Sequence, residues 1–219
     1  MKRRVLILYY SFTRQTHRVA VAMEEGFRSA GCEPTLCAID FTDERFRIDF
    51  PFRPFWPKLL RWLWPQLRGM TGKVRVPEAI VAGNYDLICI GSPSWWLHPA
   101  MPIVSFLRGE AAGRLLRGRP FAVFVVCRGA WANNLRIVRM LGERAGGTPV
   151  ESEAFCFSGT TLQSALTFIN YLQTGVNRDR YWGVRIHAFG VPQAGLTAAQ
   201  AFARRLADRL LAGRGASAP

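Results

Sequence analysis

The sequence predicts a doubly wound α/β fold, and three observations carry that reading. Val5-Leu6-Ile7-Leu8-Tyr9, Tyr85 to Gly91 and Pro120 to Cys127 are apolar runs of the kind found in parallel strands covered on both faces. Each run opens through a short loop into a helical apolar period. Helix-length segments separate the runs, and that alternation pairs strands in parallel through right-handed crossovers. A single domain over 1–212 follows, with a five-stranded parallel sheet in the order 2-1-3-4-5.

The elements follow in chain order. Strand one spans Arg4 to Tyr10, and the first helix runs from Gln15 to Ala30 and stops at Gly31, a residue suited to a helix end. Strand two is Thr35 to Asp40 and strand three Leu87 to Gly91, followed by a helix around Ile103 to Leu107. Strand four is Phe121 to Cys127, with a helix over Ala132 to Ala145; strand five is Val150 to Phe157, and a last helix covers Thr197 to Ala212. The segment Gly213 to Pro219 reads as a disordered tail. Two insertions, 41–83 and 158–192, interrupt this plan.

The loops carry the chemistry. After strand one, Ser11, Thr13 and Thr16 offer hydroxyl donors beside a helix start, whose free N–H groups and dipole favour a phosphate. A plain helix N-cap explains the same residues. Neither GxxxxGK[ST] nor GxGxxG is present, so a P-loop and a dinucleotide fingerprint are excluded. Strand three runs into Ser92-Pro93-Ser94-Trp95-Trp96-Leu97-His98, and strand four into Arg128-Gly129-Ala130-Trp131-Ala132-Asn133. These two loops offer aromatic faces, amides and backbone donors to a planar heterocycle. A phosphate joined to a planar heterocycle describes FMN.

The segments VLILYYSFTRQT, YDLICIGSPSWWLHPAMPIVSFL and FAVFVVCRGAWANN resemble the flavodoxin-like superfamily in order and spacing. The resemblance implies that Ser11, Thr13, Gln15 and Thr16 hold the FMN phosphate, that Ser92 to Trp96 contact the ring, and that Arg128 to Asn133 flank its other edge. The family usually has glycine where this chain has Arg14. That arginine either swings outward, pairs with the phosphate, or fills the site. The SPSWW loop with its proline-rich turn is most similar to the NAD(P)H-dependent quinone reductase branches, which implies NAD(P)H as co-substrate. The segment FPFRPFWPKLLRWLW also resembles flavodoxin-like proteins described as dialkylresorcinol condensing enzymes.

Composition frames the rest. The chain has 219 residues and 49% hydrophobic content, with a mean hydropathy of +0.05, enough for one well-filled core. The start Met1-Lys2-Arg3-Arg4 precedes an apolar run too short for an export signal and reads as the first strand. Five cysteines without CxxC read as buried thiols of a reducing cytoplasm. The histidines lie too far apart in sequence to suggest a metal site. His98, inside the ring loop, is the candidate proton donor to a reducing substrate. The net charge of +14 favours anionic partners such as NADPH, a membrane surface or an acidic protein. No nucleic-acid motif accompanies it.

The first insertion holds Phe50 to Pro65, dense in Phe and Trp and broken by prolines that argue against a long helix. It reads as a lid on the sheet edge, a homodimer contact, or an interfacial membrane segment. The second insertion, with a helical stretch Leu162 to Gln173, is placed beside the third loop, to roof the pocket or to meet a partner subunit. The leading expectation is therefore an FMN-dependent oxidoreductase that moves hydride from NAD(P)H to a quinone or similar small planar aromatic acceptor. The alternative is a cofactor-free module for assembly, membrane contact or aromatic biosynthesis.

Overall fold

The computed structural model describes residues 2–215. Strands β1 (Arg4–Tyr9), β2 (Glu33–Ala38), β3 (Leu87–Trp95), β4 (Pro120–Cys127) and β5 (Thr148–Cys156) form one parallel sheet in the order β2-β1-β3-β4-β5. That is the 2-1-3-4-5 order expected from the sequence. Helices α1 (Gln15–Ser29), α2 (Phe55–Leu67), α3 (Glu78–Val81), α4 (Met101–Arg108), α5 (Glu110–Leu116), α6 (Trp131–Arg144), α7 (Thr161–Thr174) and α8 (Gln193–Gly215) surround it. Residues 213–215, read from sequence as tail, continue α8, and 216–219 lie outside the described residues.

Alternation along the strands explains why the sheet has helices on both sides. Val5, Ile7 and Tyr9 of β1 join Leu87, Cys89, Phe124 and Val126 on one face, under α1 and α8. Leu6 and Leu8 join Ile88, Ile90, Val123 and Val125 on the other, under α4, α5 and α6. Because both faces are used, the central strands show no polar alternation. Glycines mark the closest approaches. A side chain at Gly91 would collide with the ring of Phe124, and one at Gly26 would stand 2.5 Å from the carbonyl oxygen of Gln200 on α8.

Three features depart from the sequence reading. Strand β3 does not stop at Gly91 but continues to Trp95 and folds back, with Ser94 opposite Pro99 and Trp95 opposite His98. The SPSWW segment is thus a tight hairpin rather than an open loop. Second, the prolines of the first insertion do not prevent a helix of 13 residues. Pro54 is its N-cap and Pro57 lies in the first turn, where the missing N–H has no intrahelical partner to lose, while Pro65 falls in the last turn. Third, α3 and α5 were not expected, because each is too short to show a full apolar period.

The first insertion is tied down at its start by Asp43. This buried carboxylate accepts from Arg45 Nε at 2.9 Å, Arg45 Nη2 at 2.7 Å and the Lys73 N–H at 2.9 Å, which holds it well below the usual carboxylate range. The second insertion meets the first directly. Phe52 N–H donates to the Leu172 carbonyl at 2.7 Å, and Arg53 Nε to the Gln173 carbonyl at 3.2 Å. Helix α7 begins on a capping box formed by Thr160 and Gln163.

The α1–α8 contact supplies a test. Replacing Gly26 by Ala favours the helix by about 1 kcal/mol on propensity alone, but the new methyl group meets backbone on α8, and such overpacking costs about 1–3 kcal/mol. Gly26→Ala is expected to lower the midpoint of urea unfolding. A raised midpoint would show that α1 and α8 are farther apart than described.

Candidate functional site

The three expected loops meet at the carboxyl edge of the sheet, each with a non-glycine residue in the left-handed region. Arg14, the N-cap of α1, has φ 61° and ψ 3°; Ala130, the N-cap of α6, has φ 51° and ψ 41°. Trp96 and Leu97, the two central residues of the β3 hairpin, have φ 48° and 69°. Positive φ at both is what a type I′ turn requires, and Asn or Gly normally supplies it. Left-handed conformations disfavour side chains with a Cβ, and such strained residues concentrate at functional sites.

In the β1–α1 loop, the side chain of Arg14 is exposed, the outward one of the three readings. Ser11 Oγ accepts from the His17 N–H at 3.2 Å, leaving its own hydroxyl proton to donate elsewhere. Thr13 is half-buried and Thr16 fully buried in the first turn. Gln15 turns away from the loop. Its Oε1 accepts from Arg18 Nη1 at 3.0 Å and from the Val191 N–H at 3.3 Å, binding α1 to the segment that precedes α8.

The hairpin divides its residues between surface and interior. Ser92 is completely buried within β3, and Trp95 is buried in an aromatic cluster, whereas Trp96, Leu97 and His98 are exposed. Pro93 and Ser94 lie half-buried between them. On the β4–α6 loop, Arg128, Gly129, Ala130 and Trp131 are exposed. The guanidinium of Arg128 sits over the Phe168 ring of α7, 5.3 Å from its centroid. Asn133 joins the two loops. Its Nδ2 donates to the Leu97 carbonyl at 3.1 Å and lies 3.5 Å from His98 Nδ1. The loops therefore present two exposed tryptophans, Trp96 and Trp131, on segments that share a hydrogen bond.

Two sets of residues at this edge were missed in the sequence. Asn134 is fully buried, donates to Ser94 Oγ at 2.9 Å, and leaves its Oδ1 without a partner among the described residues. A buried acceptor of that kind demands a donor. An aromatic row was also missed. Trp62 of α2 meets Trp95 at 5.0 Å between centroids, Trp95 meets Phe12 at 6.0 Å, and Phe12 meets Phe50 at 6.0 Å. Phe50 then meets Tyr171 at 5.4 Å, and Tyr171 stacks on Phe189 at 4.1 Å and 8°. The row runs from one insertion, through the candidate phosphate loop, to the other. Aromatic residues scattered over four segments give no local period that could have revealed it.

Among the described residues no group of histidines, cysteines and carboxylates is arranged to hold a metal ion. No helix among them is long and apolar enough to cross a membrane. A hollow of about 380 Å³ lies on the flank between α1 and α8, lined by His17, Glu25 and Gln200, away from the loops.

Cys127 and Cys156 end neighbouring strands, opposite each other in register, with their sulfurs 3.4 Å apart. The hydrogen bond between them pulls the Cys156 thiol down to about 7 and pushes the Cys127 thiol up. Cys156 is also the least buried of the five thiols. Alkylation by iodoacetamide, followed by mass spectrometry, is expected to reach Cys156 first, with a rate that rises through neutral pH as the thiolate forms. In Cys127→Ala the rate at pH 7 should fall, because the Cys156 thiol then loses its donor. An unchanged rate would show that the pair is not hydrogen-bonded.

No family model matches the chain, and no curated protein matches it in sequence. Solved structures match it in fold. A flavoprotein in complex with FMN from Lactobacillus acidophilus superposes with a TM-score of 0.54 and 21% identity, over 69% of this chain and 93% of that one. A flavodoxin, WrbA-like protein from Agrobacterium tumefaciens gives 0.51 and 17%, over 95% of this chain and 98% of that one. A flavodoxin from the domain Archaea gives 0.51 and 9%, over 94% and 98%. With the 2-1-3-4-5 parallel sheet and helices on both faces, these likenesses establish that the chain has the flavodoxin-like fold.

Proposed function

We propose that the chain binds FMN across its three carboxyl-edge loops and uses it to move hydride from NAD(P)H to a quinone or similar planar aromatic acceptor. The observation that carries this reading is the backbone of the β1–α1 loop. Arg14 adopts the left-handed conformation natural to glycine, its side chain points to solvent, and of the first three amides of α1 that of His17 is taken by Ser11 Oγ, while no side chain among the described residues bonds those of Gln15 and Thr16. Those amides, with the hydroxyls of Ser11 and Thr13, suit a monophosphate. The similar structure from Lactobacillus acidophilus is of a flavoprotein in complex with FMN, which supports the choice of cofactor.

The other residues have roles that follow from their exposure. Trp96 and Trp131 would hold the planar ring, since aromatic faces at a strand end gain most when something flat covers them. Asn133 fixes the distance between their two loops. Asn134 offers the unpaired acceptor described above to a donor at this edge. His98, exposed beside Asn133, would supply a proton to the reduced acceptor. When bound, FMN would supply the hydride chemistry, and the chain's own residues would supply position and charge. The basic surface favours the phosphates of NADPH. Gln15, Ser92 and Trp95 have a supporting part, because their side chains are committed to internal packing or hydrogen bonds.

A second reading, the cofactor-free module, draws on the aromatic row. Trp95 and Phe12 are already covered by the two insertions, and that packing needs no ligand. Titration of the purified protein with FMN and with riboflavin separates the two. FMN binding with quenched flavin fluorescence is expected, and its absence would leave the cofactor-free reading.

Within the flavin reading, Thr13→Ala should weaken FMN by roughly tenfold, the worth of one hydrogen bond to a charged group, and leave riboflavin unchanged. Trp96→Ala and Trp131→Ala should weaken both ligands together. Arg14→Gly should keep FMN bound, since its exposed side chain does not fill the site. Reduction of the bound flavin by NADH and NADPH, followed by stopped-flow absorbance, tests the hydride source. No reduction by either would end the oxidoreductase assignment while leaving the binding site intact.

A further inference from the structure

Helix α2 has two apolar faces, and the body of the protein covers one of them. Phe55, Leu59, Trp62 and Gln66 recur at helical spacing and face inward, where Phe55 and Trp62 join Phe52, Trp95 and Leu172. Trp56, Leu60, Trp64 and Leu67 form a second stripe at the same spacing. They are 64%, 64%, 57% and 54% exposed. Four large apolar side chains aligned on one helix are far beyond the scattered exposure normal for a monomer surface. The inner face anchors the helix, so the outer stripe has no route to burial by folding back.

Charge accompanies the stripe. At ~100° per residue, Lys58, Arg61 and Arg68 fall on the helix face between the exposed stripe and the buried one. The helix contains no acidic residue. Arg68 lies over the Trp64 ring at 4.4 Å, while Lys58 and Arg61 reach only backbone carbonyls, those of Asp49 and Arg45. None of the ion pairs among the described residues uses these three side chains. Over residues 43–68 six basic residues face three acidic ones, and two of the three, Asp43 and Glu44, are already paired with Arg45 and Arg47.

From this juxtaposition we propose that the outer face of α2 docks the protein on the surface of an anionic lipid bilayer, with Trp56, Leu60, Trp64 and Leu67 in the interfacial layer and Lys58, Arg61 and Arg68 against the headgroups. Tryptophan and the long basic side chains are the residues suited to that boundary, apolar along one part and polar at the other. The net charge of +14 adds long-range attraction to the same surface. A second copy of the chain fits this face poorly. A two-fold contact with the two α2 helices antiparallel would set the same basic row of both copies on one edge of the contact, like charge beside like. The proposal stands apart from the flavin reading and survives its failure.

Flotation of the full-length protein with vesicles tests the idea. Binding to phosphatidylglycerol-containing vesicles is expected to exceed binding to pure phosphatidylcholine at least tenfold, to fall as salt shortens the screening length, and to shift tryptophan emission to shorter wavelength. Trp64→Asp and Leu60→Asp should each lower binding at least tenfold while circular dichroism stays unchanged, since both positions are exposed. Arg61→Gln with Lys58→Gln should remove the preference for anionic lipid but keep the fold. Failure of the intact protein to float with anionic vesicles would overturn the proposal. So would a lipid-free dimer, seen by sedimentation equilibrium, that Trp64→Asp dissociates, because the face would then belong to a second copy.

Discussion

Burial of the sheet on both faces is the constraint from which the rest of this structure follows. Residues Val5 to Leu8 of β1, Ile88 to Ile90 of β3 and Phe121 to Val125 of β4 have almost no exposed surface. A parallel sheet covered in this way has no free face on which to place chemistry. Only the strand ends remain, and at the carboxyl end each central strand hands over to a loop that starts a helix. Gly91 shows how tight the arrangement is, for Phe124 on the neighbouring strand fills the space a side chain would need.

At that end, covering and opening compete. The two insertions close over the edge by an aromatic row, and the row recruits Phe12 from the β1–α1 loop and Trp95 from the hairpin. Each such aromatic removes a large apolar area from water, so the insertions are part of the core and not appendages. Trp96 and Trp131 stay outside this closure. They sit on segments whose left-handed residues hold the backbone in a sparsely populated conformation, and the Asn133 bond to Leu97 keeps those segments in register. The free-energy gain of the aromatic packing supports the strain at the loops beside it.

Helix α2 carries the same competition to the molecular surface. Its inner stripe supplies Phe55 and Trp62 to the core, while the outer stripe remains in water with basic residues along its edge. A lid could be built from the inner stripe alone. The outer one must answer to something other than the fold, and a charged apolar boundary is the environment its composition matches.

Much of this was readable without coordinates. Apolar runs covered on both faces, helical periods between them and loops rich in hydroxyl and aromatic residues are local patterns, so the parallel sheet, its strand order and the three loops were all apparent in the sequence. The density of Phe and Trp in 50–65 marked a segment that needs cover, whether as lid, homodimer contact or interfacial segment, without saying which. What the sequence could not contain was direction. Whether Trp95 or Trp96 faces inward depends on the hairpin that follows β3, and a Trp-Leu turn gives no sign of positive φ. Gln15 sat in a phosphate-like motif, yet its side chain answers to Val191, which lies 176 residues away. The prolines spoke against a helix in the first insertion, but packing of Phe55 and Trp62 outweighs a propensity penalty when the prolines occupy the cap and the outer turns. Local periodicity marked the five strands and the long helices between them; tertiary contacts between distant segments decided which side chains are covered and which remain exposed for a ligand or a surface, because burial belongs to the folded chain as a whole.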